Sequence, residues 1–349
     1  MIILKIEELD SNFKLETTIN KEGLKFYDIK KEPFKIYGVS YENGQFRRLP
    51  EAVAKTVSEG VYGLHMKTVG GRIRFKTNSK FVAVSLKVSN VHRTDLFAVT
   101  NTASCDIYVD NIFKGTFRAP FDVETEYEHI IENVTDGTIK NISVSFPNFS
   151  YVSEMYIGLD ENAELLPPEN YKTETPVVFY GSSITSGCCA SRPGMTYEAM
   201  VSRRLDINYI NLGFGGNAKA EDEIAEYISG LKMSAFVYDY DHNAPSPEYL
   251  EATHEKMFKT VRRAQPRLPI IIMPRPKRYL SDEEKIRHDI IYKTYSNALA
   301  AGDKNVYFID NTALTELCGS DGTIEGVHPN DFGFASMAKA VGDCLEKIL

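Results

Sequence analysis

The sequence predicts a chain of two parts, an all-β sandwich of jelly-roll type followed by a three-layer α/β/α domain built on a parallel sheet. Three observations predict it. Over residues 25–160 short segments alternate apolar and polar residues with a period of two, broken by turn residues and without a long helical stretch. Residues 161–175 contain Pro167–Pro168 among several charges, and that pair fits neither a helix interior nor a central strand. From residue 176 onward, apolar strand-like runs alternate with well-marked helix starts, the rhythm of a parallel sheet covered by helices. At 349 residues the chain exceeds one small domain and gives two halves enough length to bury a core each. The expected boundaries are therefore 1–160 for the sandwich, 161–175 for a linker and 176–349 for the α/β domain.

In the first part, Phe81–Val88 places Val82, Val84, Leu86 and Val88 on one face. Cys105–Val109 runs into Asp110–Asn111, a pair that tolerates positive φ, and then into Ile112–Gly115, which reads as a hairpin. Asn141–Phe146 and Glu154–Leu159 repeat the alternation, and Ala52–Ser58 predicts a helical turn ending at Glu59–Gly60. In the second part the strand candidates are Val177–Tyr180, Ile207–Leu212, Ala235–Asp239, Ile270–Met273 and Val306–Ile309. Ser246-Pro247-Glu248 supplies a cap followed by proline at the first helical position, and Ser281 to Glu284 reads as a capping box. A last helix after Asp331 carries Met337, Val341, Leu345 and Ile348 on one face.

Composition excludes several classes of function. The formal charge is −8, and the basic residues form no stripe with interleaved aromatics, so nucleic acid is not an expected partner. No apolar run is long enough to span a membrane, and Met1–Glu8 lacks the basic start and apolar stretch of a signal peptide, which predicts a cytoplasmic chain with no membrane partner. The five cysteines show neither zinc-ligand spacing nor a Cys-x-x-Cys pair, so no metal and no cofactor is expected. Exposed edges of a sandwich would allow a homo-oligomer.

The chemistry concentrates at two stretches. Pro176–Thr185 is an apolar run stopping abruptly at Gly181-Ser182-Ser183, the pattern of a buried parallel strand ending in a tight turn. Ligands bind beyond the carboxyl ends of such strands, so Ser183 is a candidate nucleophile; on these residues alone the turn reads equally well as a helix cap. Near the C-terminus, Glu325 and His328 lie three residues apart on a loop, since Gly326 and Pro329 both oppose helix. A serine hydroxyl needs a base, and the base works best when a carboxylate fixes its tautomer. One loop could supply both.

Gly181–Thr185 resembles the first block of the SGNH (GDSL-type) hydrolases, and Glu325–His328 resembles their last. Asn211–Asn217 is similar to the second block, whose glycine aligns with Gly216, and Phe236–Asn243 is similar to the third, from which Asn243 is retained. The resemblance implies a flavodoxin-like sheet, Ser183 as nucleophile, His328 as base, Glu325 as its orienter, and an oxyanion hole from the Ser183 and Gly216 N–H groups with the Asn243 amide. Oxyanion donors are worth several kcal/mol because they act where charge develops. The sequence departs from the family pattern at Ser182, Asp241 and Glu325, where Asp, Gly and Asp are usual. A sandwich ahead of such a domain also resembles two-domain carbohydrate esterases, with Gly70–Phe75 and Thr94–Phe97 as fainter local echoes.

Arg192 and Arg275 fall at the carboxyl edge of the sheet and His242 adjoins Asn243, making these three the candidate substrate contacts; surface ion pairing is the competing reading for the arginines. The expectation is a serine esterase that removes a short acyl group, acetyl first, from a small-molecule or oligosaccharide ester. The alternatives are an acyltransferase, a lipid or thioester hydrolase, and an inactive sugar-binding protein.

Overall fold

The computed structural model describes residues 17–349, and the reading of Met1–Glu8 lies outside them. The first half is built from β1 (Leu24–Asp28), β2 (Lys35–Tyr37), β3 (Ser40–Glu42), β4 (Gln45–Arg47), β5 (Arg72–Thr77), β6 (Phe81–Ser89), β7 (Cys105–Val109), β8 (Ile112–Phe117), β9 (Glu126–Glu132), β10 (Lys140–Ser145), β11 (Tyr151–Asp160) and β12 (Leu165–Leu166). Two antiparallel sheets, ordered β1-β11-β6-β9 and β12-β5-β10-β7-β8, form a sandwich, with β2 also on β5 and β3–β4 as a separate hairpin. In β6 the residues Val82, Val84, Leu86 and Val88 point into the core between the sheets while Lys87 and Ser89 face solvent. Burying each such side chain contributes about 1.5–3 kcal/mol, which fixes the register, because a slip of one residue would expose the whole set. Asp110 and Asn111 both take left-handed backbone, φ 50° and 66°, between the paired Val109 and Ile112. That is the two-residue hairpin turn their side chains tolerate.

The second half carries β13 (Thr173–Gly181), β14 (Ile207–Gly213), β15 (Ala235–Asp239), β16 (Ile270–Ile272) and β17 (Val306–Phe308) in one parallel sheet, ordered β14-β13-β15-β16-β17. The first strand of the sheet in chain order therefore lies between the second and the third. The chain reverses its winding there, and the loops leaving β13, β14 and β15 open into a common crevice. Helices Asp222–Ser229, Pro247–Ala264 and Asp282–Ala300 cover one face; Tyr197–Leu205 and Asp331–Leu345 cover the other. Their starts are those the sequence marks: Ser246 caps a helix opening with Pro247, and Ser281 and Glu284 complete a capping box.

Two features were not legible beforehand. The helical turn at Ala52–Ser58 is two helices, Glu51–Val57 and Glu59–Leu64, because Ser58 accepts from Val61 N and restarts the helix where Gly60 suggested an end. Leu49, Ala54 and Val61 from this segment are buried in the core of the parallel-sheet half, not in the sandwich. The passage 161–175 is likewise tied at both ends: Leu165–Leu166 pairs with β5, and Thr173 opens β13. No helix among the described residues is long and apolar enough to cross a membrane.

Candidate active site

Gly181 ends β13 beside Gly213 of β14 and Asp239 of β15. A Cβ on Gly181 would lie 2.3 Å from the Asp239 carbonyl oxygen, so only glycine lets the chain turn there. The next residues wind into a turn closed by Ser186 N to Ser182 O (3.0 Å) and Cys188 N to Ser183 O (3.0 Å). Its neighbours Ser182, Ile184 and Thr185 are buried, leaving Ser183 as the hydroxyl that reaches the crevice. Ser182, where the family pattern has Asp, accepts from Ile184 N at 3.2 Å and so caps this turn.

The last loop arrives opposite. Gly326 takes φ 89° and donates to Thr323 Oγ1 (3.1 Å), while Ile324 N donates to His328 O (3.0 Å), closing a tight loop. Asn330 anchors its far end by accepting from Phe332 N and Gly333 N at the helix start and donating to Asp321 O. Asp331 accepts from Ser191 N (2.8 Å) and Ser191 Oγ (2.6 Å), which joins this loop to the one following Ser183. The result is a line of three groups. Ser183 Oγ stands 2.9 Å from His328 Nε2, and His328 Nδ1 stands 2.5 Å from Glu325 Oε1, which also accepts from the His328 backbone N at 3.1 Å. Glu325 thus holds both the ring and its backbone. With the Nδ1 proton on the carboxylate side, Nε2 is left as the acceptor facing the hydroxyl.

Among the described residues, neither Ser183 N–H nor Gly216 N–H has a hydrogen-bond partner, and the Asn243 side chain has none either. Gly216 takes φ 73° with open space around it, while Gly215 before it packs against Ser183, its would-be Cβ only 3.2 Å from that of the serine. Asn243 ends a single 3-10 turn, Asp241–Asn243, directly after β15.

The structure corrects two expectations. Arg275 takes the competing ion-pair reading: it is 9% exposed and forks onto Asp241, Nε to Oδ2 at 2.7 Å and Nη2 to Oδ1 at 3.0 Å, with Nη1 on Glu284 at 2.8 Å. Asp241, the departure from the family glycine, is thereby the anchor of the Asn243 turn, and Arg287 adds hydrogen bonds to the Asp241 and Ala244 carbonyls. Arg192 also turns away, to Asp106 (2.8 Å) and Tyr108 (2.6 Å) of the sandwich, with its guanidinium over Phe113. An Arg–Asp pair distant in sequence gives no local pattern, so these partners had no signal. His242 keeps its place beside Asn243; burial, then the Arg275 cation, pulls its pKa down to about 4, so it is neutral at pH 7.

Three further residues shape the site. Asn211 links the blocks, accepting from Gly213 N (2.9 Å) and donating to Thr185 O (2.6 Å). Asp239, buried beside Gly181, has its carboxyl pushed well above the usual range by burial and by Asp241, and neither oxygen has a partner among the described residues. Arg48 reaches the second block from the N-terminal half. Cys188 and Cys189 pack with Phe149, Leu96 and Phe97 against the site. Burial raises the Cys189 thiol to about 11, so it is not a ready thiolate nucleophile. Cys189, Glu325 and His328 bring donor atoms within 4.8 Å of one another, but the Glu325–His328 pair already spends its facing atoms on each other.

Residues 174–346 match the GDSL-like lipase/acylhydrolase family, and residues 24–165 match the N-terminal region of SGNH hydrolase-type esterases. No match to the chain was found among curated proteins. Among solved structures, a Bacteroides ovatus protein assigned as a GDSL-like lipase is 27% identical with a TM-score of 0.82, over 93% of this chain and 98% of its own. A salicylyl-acyltransferase from a tetracycline biosynthetic pathway is 18% identical with a TM-score of 0.77, over 94% and 99%. An acetyl xylan esterase from the rumen bacterium Butyrivibrio proteoclasticus is 13% identical with a TM-score of 0.60, over 93% and 98%. At these lower identities the likeness is one of fold, covering both halves.

Proposed function

Because the chain belongs to the SGNH (GDSL-type) hydrolases, enzymes acting on ester bonds, we propose that it is a serine esterase releasing a short acyl group, acetyl first, from a carbohydrate or other small-molecule alcohol. The observation that carries this reading is the Ser183–His328–Glu325 line, at 2.9 Å and 2.5 Å. Ser183 Oγ adds to the ester carbonyl as His328 Nε2 takes its proton, and Glu325 stabilises the imidazolium through Nδ1. The carbonyl oxygen, now negative, receives the Ser183 and Gly216 N–H groups and the Asn243 amide. His328 then gives the proton to the departing alkoxide. Water repeats the cycle on the acyl-enzyme: His328 takes its proton, acid leaves and Ser183 recovers its hydrogen.

The acetyl xylan esterase among the structural neighbours supports a small acyl group in this reading. Water access favours hydrolysis, since the side chains of His328 and Glu325 are 23% and 35% exposed. A second reading, transfer to an apolar acceptor, draws on Ile324 and Val327, which stand 48% and 37% exposed on the histidine loop. Replacing Ser183 by Ala should lower p-nitrophenyl acetate hydrolysis by about a thousandfold or more at unchanged thermal stability; undiminished turnover refutes the esterase reading. Product analysis with competing alcohols separates the two readings, since a transferase yields acylated acceptor in preference to free acid.

A further inference from the structure

Arg48, which follows β4, is 6% exposed and has no carboxylate partner among the described residues. Its Nη1 donates to the Gly213 carbonyl and, at 3.5 Å, to Asn211 Oδ1; its Nη2 donates to Leu64 O at 3.3 Å; and its guanidinium carbon lies 4.6 Å from the centre of the Phe214 ring. Burial pulls its pKa down to about 9, which still leaves it cationic at pH 7. A desolvated cation without a counter-ion is costly, and an apolar side chain of similar length would cost less. The interactions it makes are therefore the reason to look for a role.

Those interactions converge on one peptide. The Gly213 carbonyl is held by Arg48, and the amide of the same peptide, Phe214 N–H, donates 2.8 Å to Gly181 O at the end of β13. The Gly213–Phe214 unit is thus clamped between the N-terminal half on one side and the strand that delivers Ser183 on the other. Gly215 and Gly216 follow immediately. Asn211, also touched by Arg48, ties the same junction to Thr185 O at 2.6 Å. We propose that Arg48 is a positioning residue for the turn carrying Gly216: its fork fixes that turn relative to Ser183, and its charge favours the anion forming in front of the turn. The first half of the chain then completes the active site rather than only binding substrate. This rests on the reading that the Ser183 and Gly216 N–H groups bind the oxyanion.

The test compares Arg48→Met, Arg48→Lys and a control, Arg72→Met, in the full chain. Arg72 is equally buried (6%) and also joins the halves through β14, but at its opposite end, on Tyr209 O (3.2 Å) and Asn208 Oδ1 (2.6 Å). For p-nitrophenyl acetate, Arg48→Met should lose about 10- to 100-fold in kcat with KM within about threefold, less than deletion of an oxyanion donor would cost. Arg48→Lys, which keeps the charge but not the fork, should fall between; it carries the test if the Met variant does not fold. Arg72→Met should lower the melting temperature and keep kcat. Wild-type kcat in the Arg48 variants, or an equal kcat loss in Arg72→Met, overturns the proposal. Ser183→Ala is measured alongside: an active Ser183→Ala overturns the underlying reading, whereas an inactive one with unaffected Arg48 variants overturns the role of Arg48 alone.

Discussion

Glu325→Gln isolates the carboxylate charge while keeping the length of the arm. In the structure Glu325 Oε1 accepts from His328 Nδ1 at 2.5 Å and from His328 N at 3.1 Å. An amide oxygen can still accept both, so the histidine loop should keep its shape. What is lost is the charge facing an imidazolium that exists only while the proton is on Nε2. A hydrogen bond to a charged group is worth about 1.5–3 kcal/mol, and a third of the Glu325 side chain is exposed (35%), so water screens part of it. The lower part of that range, about 1.5–2 kcal/mol, corresponds to roughly a 10- to 30-fold fall in kcat. Because the charge acts on the transition state, KM should stay within about twofold. Steady-state hydrolysis of p-nitrophenyl acetate measures both. A kcat within twofold of the parent would refute Glu325 as the orienting carboxylate, and an unchanged kcat with a raised KM would move it to substrate binding.

Two other perturbations follow from the same geometry. A Cβ on Gly213 would stand 2.4 Å from Ser186 N and 2.7 Å from the Thr185 carbonyl carbon, both backbone of the serine turn, whereas Gly216 has open space and only its φ of 73° to defend. Gly213→Ala should therefore cost about 100-fold or more in kcat, and Gly216→Ala roughly 5- to 30-fold, reflecting about 1–2 kcal/mol of backbone strain; the reverse order would show that the turn is not wedged in this way. The two buried histidines should each cost stability in acid, since burial depresses His254 to about 3 and His242 to about 4. Both are neutral when folded and take a proton on unfolding below about pH 6.5, so their contribution is complete above that pH and is lost as pH falls toward 4 and then 3. Each slope approaches about 1.4 kcal/mol per pH unit and is opposed by the raised Asp239 carboxyl, so it is read as the difference in urea midpoints between the parent and His254→Gln from pH 7 to 5; a difference that does not change with pH would refute the assignment.

The sequence alone determined what local chemistry encodes. Alternation in Phe81–Val88, the Asp110–Asn111 turn, the caps at Ser246 and Ser281 and the apolar runs feeding β13–β17 are short-range signals, and each is realised in place. The Ser183 and His328 stretches were legible as a strand-ending glycine turn and a Gly–Pro loop, while the roles expected of them came from the resemblance of both to SGNH blocks, since the turn by itself reads equally well as a helix cap. What the chain could not disclose is which side chains meet across long separations. Arg275 and Arg192 looked like ligands-in-waiting because their partners, Asp241 and Asp106, lie 34 and 86 residues away. Arg48 carried no signal, being 165 residues from the carbonyl it holds. Local sequence sets backbone preference and the facing of side chains, but the electrostatic fate of a buried charge depends on its neighbours after folding. Packing within the second half decided that Arg275 meets an acid, and packing of the two halves against each other decided that Arg192 meets an acid and Arg48 a backbone turn.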